Sequence, residues 1–147
     1  MDTPRPVVIA FGNPLRCDDG VAAAVAAQLA DVIPAARIMT VHQLLPELAE
    51  SAAHARVVVF VDASIEGTPG DVRHRLVESE EVGVPGHTLT PARLMGLARS
   101  LYESSPPSYL VSVSGEQFGF GTHFAEPVAA AVPTAVRTVA DIVNGAD

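Results

Sequence analysis

The chain has 147 residues, 48% of them hydrophobic, with two Tyr, five Phe and no Trp. That length and hydrophobicity fit one domain, 1–147, with an aliphatic core, and they exclude a disordered chain. A formal net charge of −8 excludes a general nucleic-acid binder, which needs a basic footprint.

All nine basic residues are Arg, and Lys is missing altogether. The single cysteine, Cys17, excludes an internal disulfide framework and any Cys-rich metal site. The N-terminus has no signal-peptide pattern, and no apolar run approaches the roughly 20 residues of a membrane span. The expectation is a cytoplasmic protein that engages neither membrane nor nucleic acid.

In chain order, "PVVIAF" (6–11) is a short β-branched run stopped by Gly12-Asn13-Pro14, which predicts a buried strand and a turn. From Asp19 onward, "DGVAAAVAAQLADV" places Val21, Val25, Leu29 and Val32 at helical spacing. "RIMTV" (37–41) predicts a second strand, and "LLPELAESAAHA" a short helix with Pro46 near its first turn. "RVVVFVDA" (56–63) is continuously apolar, as parallel central strands are, and "DVRHRLVE" (71–78) alternates like an edge strand. Thr90-Pro91 opens a helix over "ARLMGLARSLYE", and "SYLVSVSG" (108–115) is the last strand. A final helix runs from Glu126 to about Val143, with Pro133 expected to bend or restart it. This alternation predicts an α/β fold: a three-layer, doubly wound α/β/α sandwich of the phosphorylase/hydrolase-like kind, around a mostly parallel, twisted sheet of about five strands.

Ligands of such sheets bind outside the carboxyl ends of the strands, where strand order reverses. Asp18 and Asp19 follow the first strand, Asp62 lies at the carboxyl end of the third, and His87 precedes the helix at Thr90. Two carboxylates and an imidazole at one sheet edge suit a borderline divalent metal such as Ni²⁺ or Zn²⁺. Taken singly, the residues read more blandly: Asp18 as a solvated loop acid or cap, Asp19 as a helix N-cap, His87 as a loop histidine. Asp62 is harder to dismiss, because a bare carboxylate at the end of a buried strand is costly. Cys17 is a poor nucleophile candidate, because a thiolate beside two acids meets like charge. His42, Glu47, His54, His74 and His123 say little individually.

Phosphoacceptor receiver domains also set acids at the positions of Asp18, Asp19 and Asp62. They hold the phosphoryl group with a lysine that this chain lacks, and arginine is no substitute for that compact ammonium. A second resemblance is closer. "GNPLRCDDGVAAAVAAQL" resembles the opening G-N-x-L-x-x-D-[DE]-G signature of the hydrogenase maturation proteases, endopeptidases that trim the C-terminal extension from nickel–iron hydrogenase large subunits. "VVVFVDA", "GHTLTPARLMGLA" and "LVSVSGEQFGFGTHFAEPVAAAVP" are similar to three further family segments in the same order. "VHQLLPELAE" stands where many relatives have Gly-Gly-Thr and resembles the subgroup serving cytoplasmic, nicotinamide-linked hydrogenases. His123-Phe124-Ala125 replaces a frequent Leu-Ser.

The resemblance implies a metal-binding triad of Asp19, Asp62 and His87, with Asp19 and Asp62 catalytic and Asp18 supporting the helix start or a ligand. It implies that Asn13, Gly20 and His42 meet the substrate, Gly20 by leaving room for it. The implied partner is a nickel-loaded large-subunit precursor that brings the metal, so no tightly bound cofactor is expected and Zn²⁺ or Cd²⁺ would occupy the site only in vitro. Either nickel or a carboxylate pair would activate the attacking water. The free enzyme is expected to be a monomer. A catalytically inactive metal- or precursor-binding module, or another peptidase of the same fold, is the alternative.

Overall fold

The computed structural model describes residues 3–81 and 89–145. Its elements are β1 (Val7–Phe11), a single 3-10 turn (Cys17–Gly20), α1 (Val21–Val32), β2 (Arg37–Val41), α2 (Leu48–Ala53) and β3 (Val58–Ser64). They continue with β4 (Val72–Leu76), α3 (Pro91–Tyr102), β5 (Ser108–Ser114) and α4 (Glu126–Gly145). The five strands form one sheet in the order β2-β1-β3-β5-β4, parallel except for β4, which runs antiparallel to β5 at the edge. The expected α/β class, strand number and doubly wound arrangement are what the chain adopts.

The continuous apolar strands are explained by burial on both faces. Val8, Ala10, Val59, Val61, Val111 and Val113 point to the side covered by α1 and α4. Ile9, Val58, Phe60 and Leu110 point to the side covered by α2 and α3. Each residue of β1 and most of β3 therefore meets a helix layer, and a polar residue there would lose its water without gaining a partner.

Three elements depart from the sequence reading. The helix expected from Asp19 begins at Val21, because residues 17–20 form the 3-10 turn first, and the helix cap at Gly20 has no side-chain bond. The helix expected over 44–55 is confined to Leu48–Ala53; Leu45 and Pro46 instead accept single-turn bonds from Leu48 and Ala49. The last helix does not restart at Pro133 but runs continuously to Gly145. A buried stripe of Val128, Ala131, Val132, Ala135, Val136 and Val139 outweighs the one backbone bond that proline removes. Thr90 does cap α3 as expected, accepting from the Arg93 N–H at 3.2 Å, with Pro91 at the first position.

Candidate active site

Strand order reverses between β1 and β3: the chain goes from β1 outward to β2, then returns to place β3 on the other side. Asp19 follows β1 and Asp62 sits near the carboxyl end of β3, so the two acids flank this switch point.

Asp19 is placed by a tight local structure. Its Oδ2 accepts the Asn13 backbone N–H at 2.6 Å, and the Asp19 N–H donates to the Arg16 carbonyl at 3.1 Å. The half-buried carboxylate is thus turned back over the end of β1 rather than onto the helix behind it, and it does not cap α1. Gly12 makes this possible. It has φ +150°, and a Cβ there would collide with the Asp19 carbonyl oxygen.

Asp62 is half-buried, and its carboxyl is pushed up to about 7. Burial is the main cause; the Ala63 backbone N–H acts in the opposite sense, and the negative charge of Asp19 raises it further. Two carboxylates that repel one another across a switch point form a site that gains from a proton or a cation between them.

Asp18 is wholly buried, not a solvated acid. Its Oδ2 accepts the N–H groups of Glu116 and Gln117 at 2.8 and 2.7 Å, and its Oδ1 accepts that of Ala125 at 2.8 Å. It supports the start of α4 and the loop before it, not the start of α1. The adjacent acids of the 3-10 turn therefore divide the work: Asp18 ties down the far loop, and Asp19 faces the sheet edge.

Asn13 uses its side-chain Oδ1 to accept the Leu15 N–H at 2.9 Å, closing the turn after β1. His42 is exposed directly after β2, at the same end of the sheet. Gly20 is buried, and the space expected for substrate is bounded by the chain itself: a Cβ would lie 3.1 Å from Pro14 Cα and 3.6 Å from the Phe124 ring. His87 lies outside the described residues. Among those described, no group of three His, Cys, Asp or Glu side chains is close enough to hold a metal ion. Cys17 is buried against Gly121, and its N–H donates to the Gly121 carbonyl at 2.9 Å. Among the described residues, no helix is long and apolar enough to cross a membrane.

What sequence reasoning missed was the role of Gly12 and the three-amide cradle of Asp18. The first had a signal, a glycine directly after an apolar strand. The second had none nearby, since its donors lie 98 to 107 residues away.

No protein-family model and no curated protein matches the chain. Solved structures do. A hydrogenase maturation protease HybD from Thermococcus kodakarensis is 21% identical, with TM-score 0.74, over 95% of this chain and 99% of the other. The hydrogenase maturating endopeptidase HybD from Escherichia coli has the same identity and TM-score, over 96% and 93% of the two chains. An endopeptidase from Escherichia coli solved in solution is 23% identical, with TM-score 0.76, over 97% and 95%. Over nearly its whole length, the chain has the fold of these three solved structures, two of them hydrogenase maturation proteases.

Proposed function

We propose that the protein is an endopeptidase that removes the C-terminal extension of a nickel–iron hydrogenase large-subunit precursor after nickel insertion. The observation that carries this reading is the facing of Asp19 and Asp62 at the switch point, in a fold whose solved examples bear that name. On this reading Asp19, Asp62 and His87 meet nickel already held by the precursor. The nickel belongs to the substrate, and the enzyme holds no tightly bound metal of its own.

The chemistry follows from the electrostatics. A carboxyl poised near neutrality can take a proton from water attacking the scissile carbonyl, which suits Asp62 to the role of general base. A cation brought against the Asp19–Asp62 pair relieves their repulsion, so a loaded precursor docks better than an empty one. Asn13 and His42, at the ends of β1 and β2, border the path of the substrate, while Gly20 shapes the turn from within. The proposal includes a cytoplasmic location and a free monomer.

The test is incubation of the purified protein with its host's large-subunit precursor, with and without nickel, followed by intact-mass measurement. Loss of a C-terminal fragment from the nickel-loaded form alone is expected. If Asp62→Asn cleaved as fast as the wild type, Asp62 would have no part in catalysis. Stable binding of the precursor without cleavage would identify the inactive binding module instead.

A further inference from the structure

Asp62 opens into a cleft of about 600 Å³ whose lining carries Arg73, Arg75 and His74, one further acid, Glu66, and the apolar Ile65 and Leu110. The register of the three strands orders these residues. Asp62 pairs with Ser112, and Ser112 with Arg73, so these three share one row. Phe60 pairs with Leu110, and Leu110 with Arg75, forming the next row on the same face.

The two arginines are not equivalent. Arg73 is committed to the fold: its guanidinium donates to the Glu66 carbonyl at 2.9 Å and to Ser114 Oγ at 3.5 Å, holding the loop after β3. Arg75 is exposed and makes no hydrogen bond or ion pair with any described residue. In a chain of net charge −8 it is an unengaged guanidinium in a cleft that begins at the candidate catalytic carboxylate. Guanidinium recognises carboxylates by paired, charge-assisted hydrogen bonds. Leu110, in the Arg75 row, and Ile65, 83% exposed just after β3, add apolar surface to the cleft.

We propose that this cleft seats, in extended form, the substrate segment next to the scissile bond, and that Arg75 selects an acidic side chain within it. The proposal rests on the endopeptidase reading. Strand spacings of about 4.8 Å and rises of about 3.4 Å per residue put Arg75 roughly 12 Å from Asp62, backbone to backbone. An extended peptide covers that span, less the reach of the arginine, in about two to four residues. The acidic residue therefore stands about two to four positions from the cleaved bond.

The probes are four synthetic peptides: acetyl-Ala-Ala-Val-Ala-Asp-Ala-Ala-amide, the same peptide with Asn or with Lys for Asp, and the Asn peptide with a free C-terminal carboxylate. Binding is read on the intact protein and on each variant from the backbone amide signals of Ile65, Leu110 and Ser112 by NMR, with melting temperature as the folding control. The Asp peptide is expected to bind about fivefold or more tighter than its Asn counterpart, a preference lost in Arg75→Gln. Arg75→Glu should instead favour a Lys peptide. Equal binding of the Asp and Asn peptides, a preference that survives Arg75→Gln, or no binding of any peptide at about 5 mM would overturn the proposal. Tighter binding of the peptide with the free carboxylate would overturn the side-chain assignment. These readouts do not depend on cleavage. A wild type that prefers the Asp peptide but leaves nickel-loaded precursor uncut would refute the endopeptidase reading and keep Arg75 as a carboxylate site.

Discussion

The carboxylate of Asp18 and the backbone amide of Ala125 meet at 2.8 Å across 107 residues of sequence, fastening the turn after β1 to the start of α4. With the amides of Glu116 and Gln117 on its other oxygen, Asp18 replaces three lost hydrations with three charge-assisted bonds. Asp18→Ala leaves three donors without their acceptor and is expected to cost about 3–5 kcal/mol in a chemical denaturation experiment. Asp18→Asn keeps one good acceptor and should cost less, about 1–3 kcal/mol. A change under half a kcal/mol for both would mean that water substitutes for the carboxylate at no cost.

Asp62 makes stability depend on pH in a direction opposite to that of a salt-bridged acid. Its folded value of about 7 lies above the ordinary 3.8, so folding favours the protonated form. The wild type should be fully stable with respect to this group below about pH 4, lose stability as pH rises to about 7, and change no further above it. Asp62→Asn removes the ionisation. Its stability relative to the wild type should therefore grow across that window to about 1–3 kcal/mol at pH 8, after allowance for partial solvation. Melting curves of both proteins at pH 4, 6 and 8 check this, and parallel curves would refute the raised value.

Gly12→Ala should damage the site more than the fold. The methyl group would collide with the Asp19 carbonyl, and φ +150° is strained for any side chain. A loss of about 2–3 kcal/mol is expected, with displacement of the Asp19 turn. The Asn13 amide proton, bonded to Asp19 Oδ2 in the wild type, should exchange faster with solvent in the variant. Unchanged exchange and stability would show that the turn relaxes around the added atom.

Metal affinity offers a separate check on the acidic pair. The protein as purified should contain no stoichiometric metal by elemental analysis, yet bind added Zn²⁺ or Cd²⁺. Binding should tighten as pH rises through about 7, because Asp62 must give up its proton. Asp19→Asn should weaken it about tenfold or more, measured by calorimetry. One equivalent of tightly held metal in the purified protein would contradict a substrate-borne nickel.

The backbone architecture was legible because its strands carry an unmistakable mark: runs such as Val57 to Val61 have no polar residue to place at a surface, so both faces must be covered. The prominence of Asp19 and Asp62 was legible for the same reason, since charges at the ends of such strands stand out. The direction of Asp18 was not. A carboxylate satisfied only by backbone amides leaves no complementary side chain to find, and two of its three donors sit in a turn built after β5. The continuity of α4 through Pro133 was hidden because a local rule for proline competes with burial of a stripe whose partners lie in α1 and β5. The shortness of α2 left no mark in the sequence either: Leu45 and Pro46 accept single-turn bonds ahead of it, and Leu44 is buried before them.

The tie between Asp18 and the segment from Glu116 to Ala125 also sets a temporal order on the molecule. During synthesis, residues 12–64 leave the ribosome with both Asp19 and Asp62, but the donors that pin the 3-10 turn arrive only after most of the chain has been made. Such long-range closure comes late in folding. A nascent or truncated chain therefore has both acids without the scaffold that points one of them at the sheet edge. An incomplete copy lacks the fastening that sets the Asp19 turn, because the chain makes those donors late.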